Sequence, residues 1–240
     1  QLITLVIFTF KRIDRLTKCL KSIDSKNVDE ILIFNDDESN QLNISKLKLD
    51  NKFITIFNPS DWGFSERKFR KPIYLNKAIE IAKNDKILFS DDDGEFSKGT
   101  IDLHYNTLDK FRFTAGAIIR DRFLNRISKS ILQGTNYGFQ KSFFLDLGGY
   151  DEAFCDSMGG GDVDFWYRIY IHSRLQNITL AFLPNAIQKV TAKSSRKKIV
   201  RKLDPKNYTL KKHGLNLNGP MYKWFPEIRN KEKWMSVING

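Results

Sequence analysis

Short apolar runs, each closed by a polar cluster, recur through residues 2–95. Residues 2–10 (LITLVIFTF) are β-branched and aromatic and too short to form a stable helix, so they read as a strand. Ile13, Leu16, Cys19, Leu20 and Ile23 then fall three and four apart, the apolar stripe of an amphipathic helix. Residues 30–35 (EILIFN) and 53–57 are two further strands, closed by the polar cluster 36–40 and by Asn58-Pro59. The spacing of Ile73, Leu75, Ala78, Ile79 and Ala82 predicts a helix over 72–83, and 86–89 a fourth strand that runs straight into Ser90-Asp-Asp-Asp-Gly-Glu95. Strand, helix, strand, strand, helix, strand implies an α/β fold with mostly parallel pairing and helices on both faces of the sheet. Ligands of such sheets sit beyond the carboxyl ends of strands, near a switch in strand order. The clusters at 36–40 and 90–95 both stand at such ends, so they can share one crevice.

The second half reads as more mixed. Helices are expected over 99–111, 139–147 and 162–172, and strands over 113–119, 177–183 and 186–190. Residues 193–206 look like a connection and 205–213 like a terminal helix. The 240 residues, 41% of them hydrophobic, suffice for one large core, so a single domain with C-terminal additions is expected rather than two equal domains. Gln1 is not an initiator and a strand begins at once after it, which suggests neighbouring segments. No apolar stretch reaches the roughly 18 residues of a membrane span, and no leader peptide is visible. Cys19 and Cys155 form no disulfide framework or zinc spacing, and a reducing, cytoplasmic setting is the default expectation.

The net charge of +12 is a property of the tail: residues 185–240 hold 14 Lys and Arg against 3 Asp and Glu. That patch suits nucleic acid, an anionic membrane surface or an anionic ligand, and equally a solvated face.

Asp91, Asp92 and Asp93 repel one another, and a fold tolerates them most easily where a cation offsets their charge. Mg²⁺ and Mn²⁺ favour oxygen ligands and often combine few carboxylates with substrate phosphates. An acidic exposed turn is the other reading. Asp36 and Asp37 close the second strand, where a carboxylate can accept from a base N–H or a ribose hydroxyl, or simply complete a turn. Gly159-Gly-Gly-Asp-Val-Asp164 precedes a helix. Its glycines let the backbone approach a ligand. Asp162, near the helix N-terminus, is favoured in its ionised form by the macrodipole and suits either a general base or an N-cap.

The order of these motifs resembles the family 2 glycosyltransferases with the GT-A fold. The resemblance rests on Ile7-Phe-Thr-Phe10, on Phe34-Asn-Asp-Asp37, on Gly63 through Leu75-Asn76-Lys77 and on Asp91-Asp92-Asp93. It continues in Leu147-Gly-Gly-Tyr-Asp-Glu-Ala-Phe154 and in Gly159-Gly-Gly-Asp-Val-Asp-Phe165 with Arg168. It spans about residues 2–192 and implies a nucleotide-sugar-binding half (1–97), an acceptor half (98–192) and a basic helical extension (193–240). The implied donor contacts are Thr9, Asp36, Asp37, Arg67, Asn76, Asp91 and Asp92, with Asp93 and Asp91 as ligands of Mn²⁺ or Mg²⁺. Asp162 would be the general base of an inverting displacement, and Tyr150, Asp151, Gly160 and Asp164 would lie on the acceptor side. The implied partners are a nucleotide sugar, most often of uridine, and a glycan or glycolipid acceptor. Residues 189–202 could touch the inner face of an anionic membrane, and no nucleic acid is expected.

Two positions depart from the family pattern. Gly161 stands where a glutamate usually precedes the base, and Lys189-Val-Thr-Ala-Lys193 lacks the histidine that many relatives carry. His213 reads as structural, Trp166 as core, and Tyr150 as either core or sugar platform. A nucleotidyltransferase is disfavoured because the first strand is not followed by a glycine-rich loop. A non-catalytic protein binding nucleic acid or another polyanion through the basic tail, and a retaining transferase on the same fold, remain the rival readings.

Overall fold

The computed structural model describes residues 2–47, 53–61, 69–122, 126–130, 134–156, 160–190, 208 and 211–212. Strand β1 (Ile3–Thr9) is buried along its whole length, the signature of a strand covered on both faces. Its residues alternate between two cores. Leu5 and Ile7 pack with Leu16, Cys19 and Leu20 of α1 (Ile13–Lys21), whereas Val6 and Phe8 join the cluster of Tyr74, Leu75 and Ala78 from α2 (Lys71–Ile81).

The remaining elements are β2 (Val28–Asn35), β3 (Ile54–Phe57), β4 (Lys86–Asp91), β5 (Gly94–Phe96), α3 (Thr100–Thr107), β6 (Phe113–Arg122), β7 (Arg126–Ser130), β8 (Tyr137–Gln140), α4 (Lys141–Asp146), α5 (Gly161–Leu175) and β9 (Ala181–Val190). They form a single α/β domain with one sheet in the order β3-β2-β1-β4-β8-β6-β9-β5, with β7 paired to β6. Strands β3, β2, β1 and β4 are parallel. Beyond β4 the sheet is mixed: β8 runs antiparallel to both β4 and β6, and β9 runs parallel to β6.

Strand order reverses at β1, which lies between β2 and β4. Thr9 pairs with Asn35 and Phe8 with Asp91, so the loops after these three strands open at one level. This is the crevice expected of an open parallel sheet.

The sequence pattern places some boundaries differently. Residues 139–147 were expected as one helix, but Tyr137–Gln140 is strand and only Lys141–Asp146 is helical. Tyr137 and Phe139 each pair across to both β4 and β6, and those ladders outweigh a local helical preference. The two late strands are one, β9, whose register against β6 shifts between Gly116 and Ala117, opposite Leu183 and Ile187. Pro184 falls in that irregularity, where no ladder hydrogen bond is demanded of it. Residues 177–180 lie outside the strand, and β5 and β7 had no counterpart in the sequence reading.

Trp166 is core, and so is Tyr150, whose ring stacks on Phe165 at 4.3 Å while its hydroxyl meets that of Tyr137 at 2.6 Å. Cys19 and Cys155 are buried, and neither is in a disulfide. Of the expected helix at 205–213 only Tyr208, Lys211 and Lys212 are described, and all three are helical. The rest of 193–240, His213 included, lies outside the described residues, as does the boundary drawn at 192. Among the described residues no helix is long and apolar enough to cross a membrane.

Candidate active site

The three acids at the end of β4 point to different places. Asp92 turns back beneath β1 and is 0% exposed, accepting from the Thr9 hydroxyl at 2.7 Å and from Arg12 Nε at 3.1 Å. A second Arg12 nitrogen, Nη2, lies 2.5 Å from its other oxygen, and Nη1 reaches Asp93 at 2.8 Å. Burial pushes the Asp92 carboxyl up to about 6 against the pull of Arg12 and Thr9. Asp91 accepts instead from Lys71 Nζ at 2.7 Å, and its backbone N–H is anchored on the Thr135 hydroxyl at 2.9 Å. The charge that the sequence reading assigned to a metal is thus met in part by Arg12 and Lys71.

At the end of β2, Asp36 is buried against Arg70 at 2.9 Å, and Arg70 also bonds Glu38. Burial alone would lower the Arg70 pKa, but Asp36 holds it up. Asp37 caps the turn at Ser39 and faces Lys11 at 3.8 Å. Between this turn and the start of α1 opens a cleft of about 770 Å³, lined by Lys11, Arg12, Arg15, Asp37, Ser39 and Asn40 among others. Arg15 Nη1 is buried there without a hydrogen-bond partner. Arg67 lies outside the described residues. Asn76 is engaged with protein: its amide bonds both the N–H and the carbonyl of Tyr150.

On the opposite side, Gly160 takes φ of 106° and turns the chain into α5, so that Asp162 falls in the first turn. The Asp162 carboxylate lies against Gly134: a Cβ on that glycine would stand 2.5 Å from Asp162 Oδ2. The Gly134 carbonyl accepts from Lys71 Nζ at 2.9 Å. Burial raises the Asp162 pKa, Lys71 opposes the rise and Asp91 adds to it. The macrodipole at the start of α5 favours the ionised form, and desolvation outweighs it in setting the direction. Asp164 is wholly buried and paired with Arg168, which also donates to the carbonyls of Leu147 and Gly149. Asp151 caps Ala153 and pairs with Lys212 at 2.5 Å.

Asp91, at the end of β4, and Asp162, at the start of α5, are therefore neighbours of one ammonium. Thr9, Asp92, Asn76, Tyr150 and Asp164 shape the frame around them. Arg12, Arg70, Lys71 and Gly134 were missed in the sequence. One signal existed for Lys71, which stands four before Leu75 and seven before Ala78 on the buried stripe of α2. Gly134 carries no local signature, and Arg12 and Arg70 are lost among 40 Lys and Arg.

Residues 4–161, more than half of the chain, match the sequence model of glycosyl transferase family 2. The chain belongs to that family. The match runs from β1 to the first residue of α5 and ends one residue before Asp162. The GT-A architecture is also that of the crystal structure of S. aureus TarS 1-349, with a TM-score of 0.59 at 14% identity. The superposition covers 80% of this chain and 60% of that one, so the family 2 chain spans about three fifths of its structural neighbour. No curated protein sequence matches the chain.

Family 2 membership raises the question of a divalent cation. Among the described residues no group of three or more His, Cys, Asp and Glu is placed to hold one. Asp91 and Asp93 keep side-chain exposures of 27% and 14%, whereas Asp92 has none. Two carboxylates, with the rest of the shell from phosphate oxygens and water, suit Mg²⁺ or Mn²⁺ arriving with a phosphorylated ligand. The residues fit a cation on those terms.

Proposed function

We propose that this family 2 glycosyltransferase moves a sugar from a nucleotide diphosphate sugar, with UDP-sugars favoured, to a hydroxyl of a glycan or glycolipid, with inversion at the anomeric carbon. The observation that carries this reading is the meeting of Asp91 and Asp162 around Lys71, between the end of β4 and the start of α5. The cleft beside Lys11, Asp37 and Ser39 supplies cations and acceptors for the nucleoside end.

In the proposed step Asp162 accepts the proton of the acceptor hydroxyl as its oxygen attacks the anomeric carbon. The bond to the diphosphate breaks and its electron pair leaves with the phosphate oxygen, through an oxocarbenium-like state. Arg12, on the wall of that cleft, places positive charge where the leaving diphosphate becomes more negative. Asp91 and Asp93 would hold the divalent cation, which when bound neutralises part of the diphosphate charge. The raised pKa of Asp162 makes it a stronger base than an exposed aspartate. A cytoplasmic enzyme peripheral to an anionic membrane through residues 189–202 belongs to the same proposal, supported by the charge of that segment.

The test is a thermal-shift panel of UDP-, GDP-, CMP- and dTDP-sugars, each with and without Mn²⁺. Stabilisation by one donor, larger with Mn²⁺, supports the reading. Equal, absent or purely salt-sensitive shifts across the panel oppose it.

A further inference from the structure

Lys71 opens α2 on the stripe that Leu75 and Ala78 continue into the core, and only 8% of it is exposed. A buried ammonium is costly unless it is paired and hydrogen-bonded. Here Nζ donates to Asp91 Oδ1 at 2.7 Å and to the Gly134 carbonyl at 2.9 Å. Gly134 is the shared element. Its carbonyl receives Lys71, and the face where a side chain would project is filled by the Asp162 carboxylate.

We infer that Lys71 is a positioning residue common to both halves of the site, holding Asp91 directly and seating Asp162 through the Gly134 backbone. This rests on the reading of Asp162 as the base and deepens it. Without the ammonium, Asp91 loses its buried counter-charge, the Gly134 carbonyl loses its donor, and the surface on which Asp162 rests is no longer fixed. A misplacement of the reacting groups by about 1 Å costs on the order of a hundredfold in rate. A methionine keeps the bulk of the stem without the donor, whereas an arginine restores the charge.

The experiment uses the full chain with the donor selected by the panel above. Lys71→Met should lower kcat by about a hundredfold while the affinity for UDP changes less than about fivefold, and Lys71→Arg should recover at least about tenfold of the loss. Gly134→Ala, which leaves Lys71 and Asp91 untouched but presses on Asp162, should show the same fall in kcat. A loss that only follows the folded fraction, with no recovery in Lys71→Arg, overturns the inference, as does a Gly134→Ala protein with unchanged kcat.

A readout free of turnover is a double-mutant cycle on urea unfolding with Lys71→Met and Asp162→Asn. The unfolding constants should be non-additive by about tenfold, and additivity contradicts the coupling. Should the wild-type chain turn over no sugar nucleotide, the functional reading fails and the cycle still decides the role of Lys71.

Discussion

The side-chain amide of Asn76 brackets the backbone of Tyr150, accepting from its N–H at 2.7 Å and donating to its carbonyl at 3.0 Å. The clamp joins α2 to the turn at Gly148 and Gly149. It also explains the second glycine, since a Cβ at Gly149 would stand 2.7 Å from Asn76 Oδ1. Asn76→Ala leaves two backbone groups of Tyr150 without these partners. The expected loss is about 2 kcal/mol of stability in urea unfolding. UDP affinity in the surviving folded protein should be unchanged; a selective loss of affinity would return Asn76 to direct donor contact.

Among the described residues Arg12 is the cation paired with wholly buried Asp92, and its truncation strands that charge. Breaking such a pair from one side costs about 3 kcal/mol or more. Arg12→Met should therefore be strongly destabilised, and adding Asp92→Asn should recover most of the loss. Chemical denaturation of the two variants measures this directly, and equal midpoints would show that the pair does not hold the loop after β1.

His104 is fully buried, with Nδ1 2.8 Å from the Thr114 hydroxyl and Nε2 3.2 Å from Asn136 Oδ1, and burial lowers its pKa to about 4. In the unfolded chain the same ring takes a proton near pH 6.5. Folding therefore loses stability as pH falls from about 6.5 to about 4, by up to roughly 3 kcal/mol, and gains nothing further above 6.5. Asp92, raised to about 6, works in the opposite sense by protonating first in the folded state. Comparison with His104→Gln cancels the Asp92 contribution. The stability difference between wild type and variant should shrink or reverse as pH drops from 7 to 4, and a constant difference would refute the buried neutral ring.

Cys19 sits on the buried face of α1, and burial, with the nearby acids adding to it against the Ser90 hydrogen bond, pushes its thiol pKa well up. It should resist alkylation by iodoacetamide under native conditions and react only after denaturation. Rapid native labelling at Cys19 would mean that the core on that side opens easily.

The parallel half of the sheet was legible because β1, β2 and β4 are short, continuous apolar runs with polar ends, and no other element type fits that pattern. The same physics made the acids at 91–93 visible as a strand terminus. The division of labour among them was not legible. Which carboxylate turns inward depends on Arg12, some 80 residues away in the chain, and spacing carries no information about such a partner. The strand over Tyr137–Gln140 was hidden because an aromatic run leading into a helix reads as more helix until its two neighbouring strands are known. Gly134 became meaningful only when the helix bearing Asp162 was laid against it.

The central claim is that Asp162 acts on a sugar held against Asp91. It is tested most directly by measuring turnover of the panel-selected donor in Asp162→Asn alongside UDP binding by calorimetry. The account predicts a fall in kcat of about a thousandfold with UDP affinity within about twofold of wild type. Turnover at the wild-type rate in that variant would contradict it.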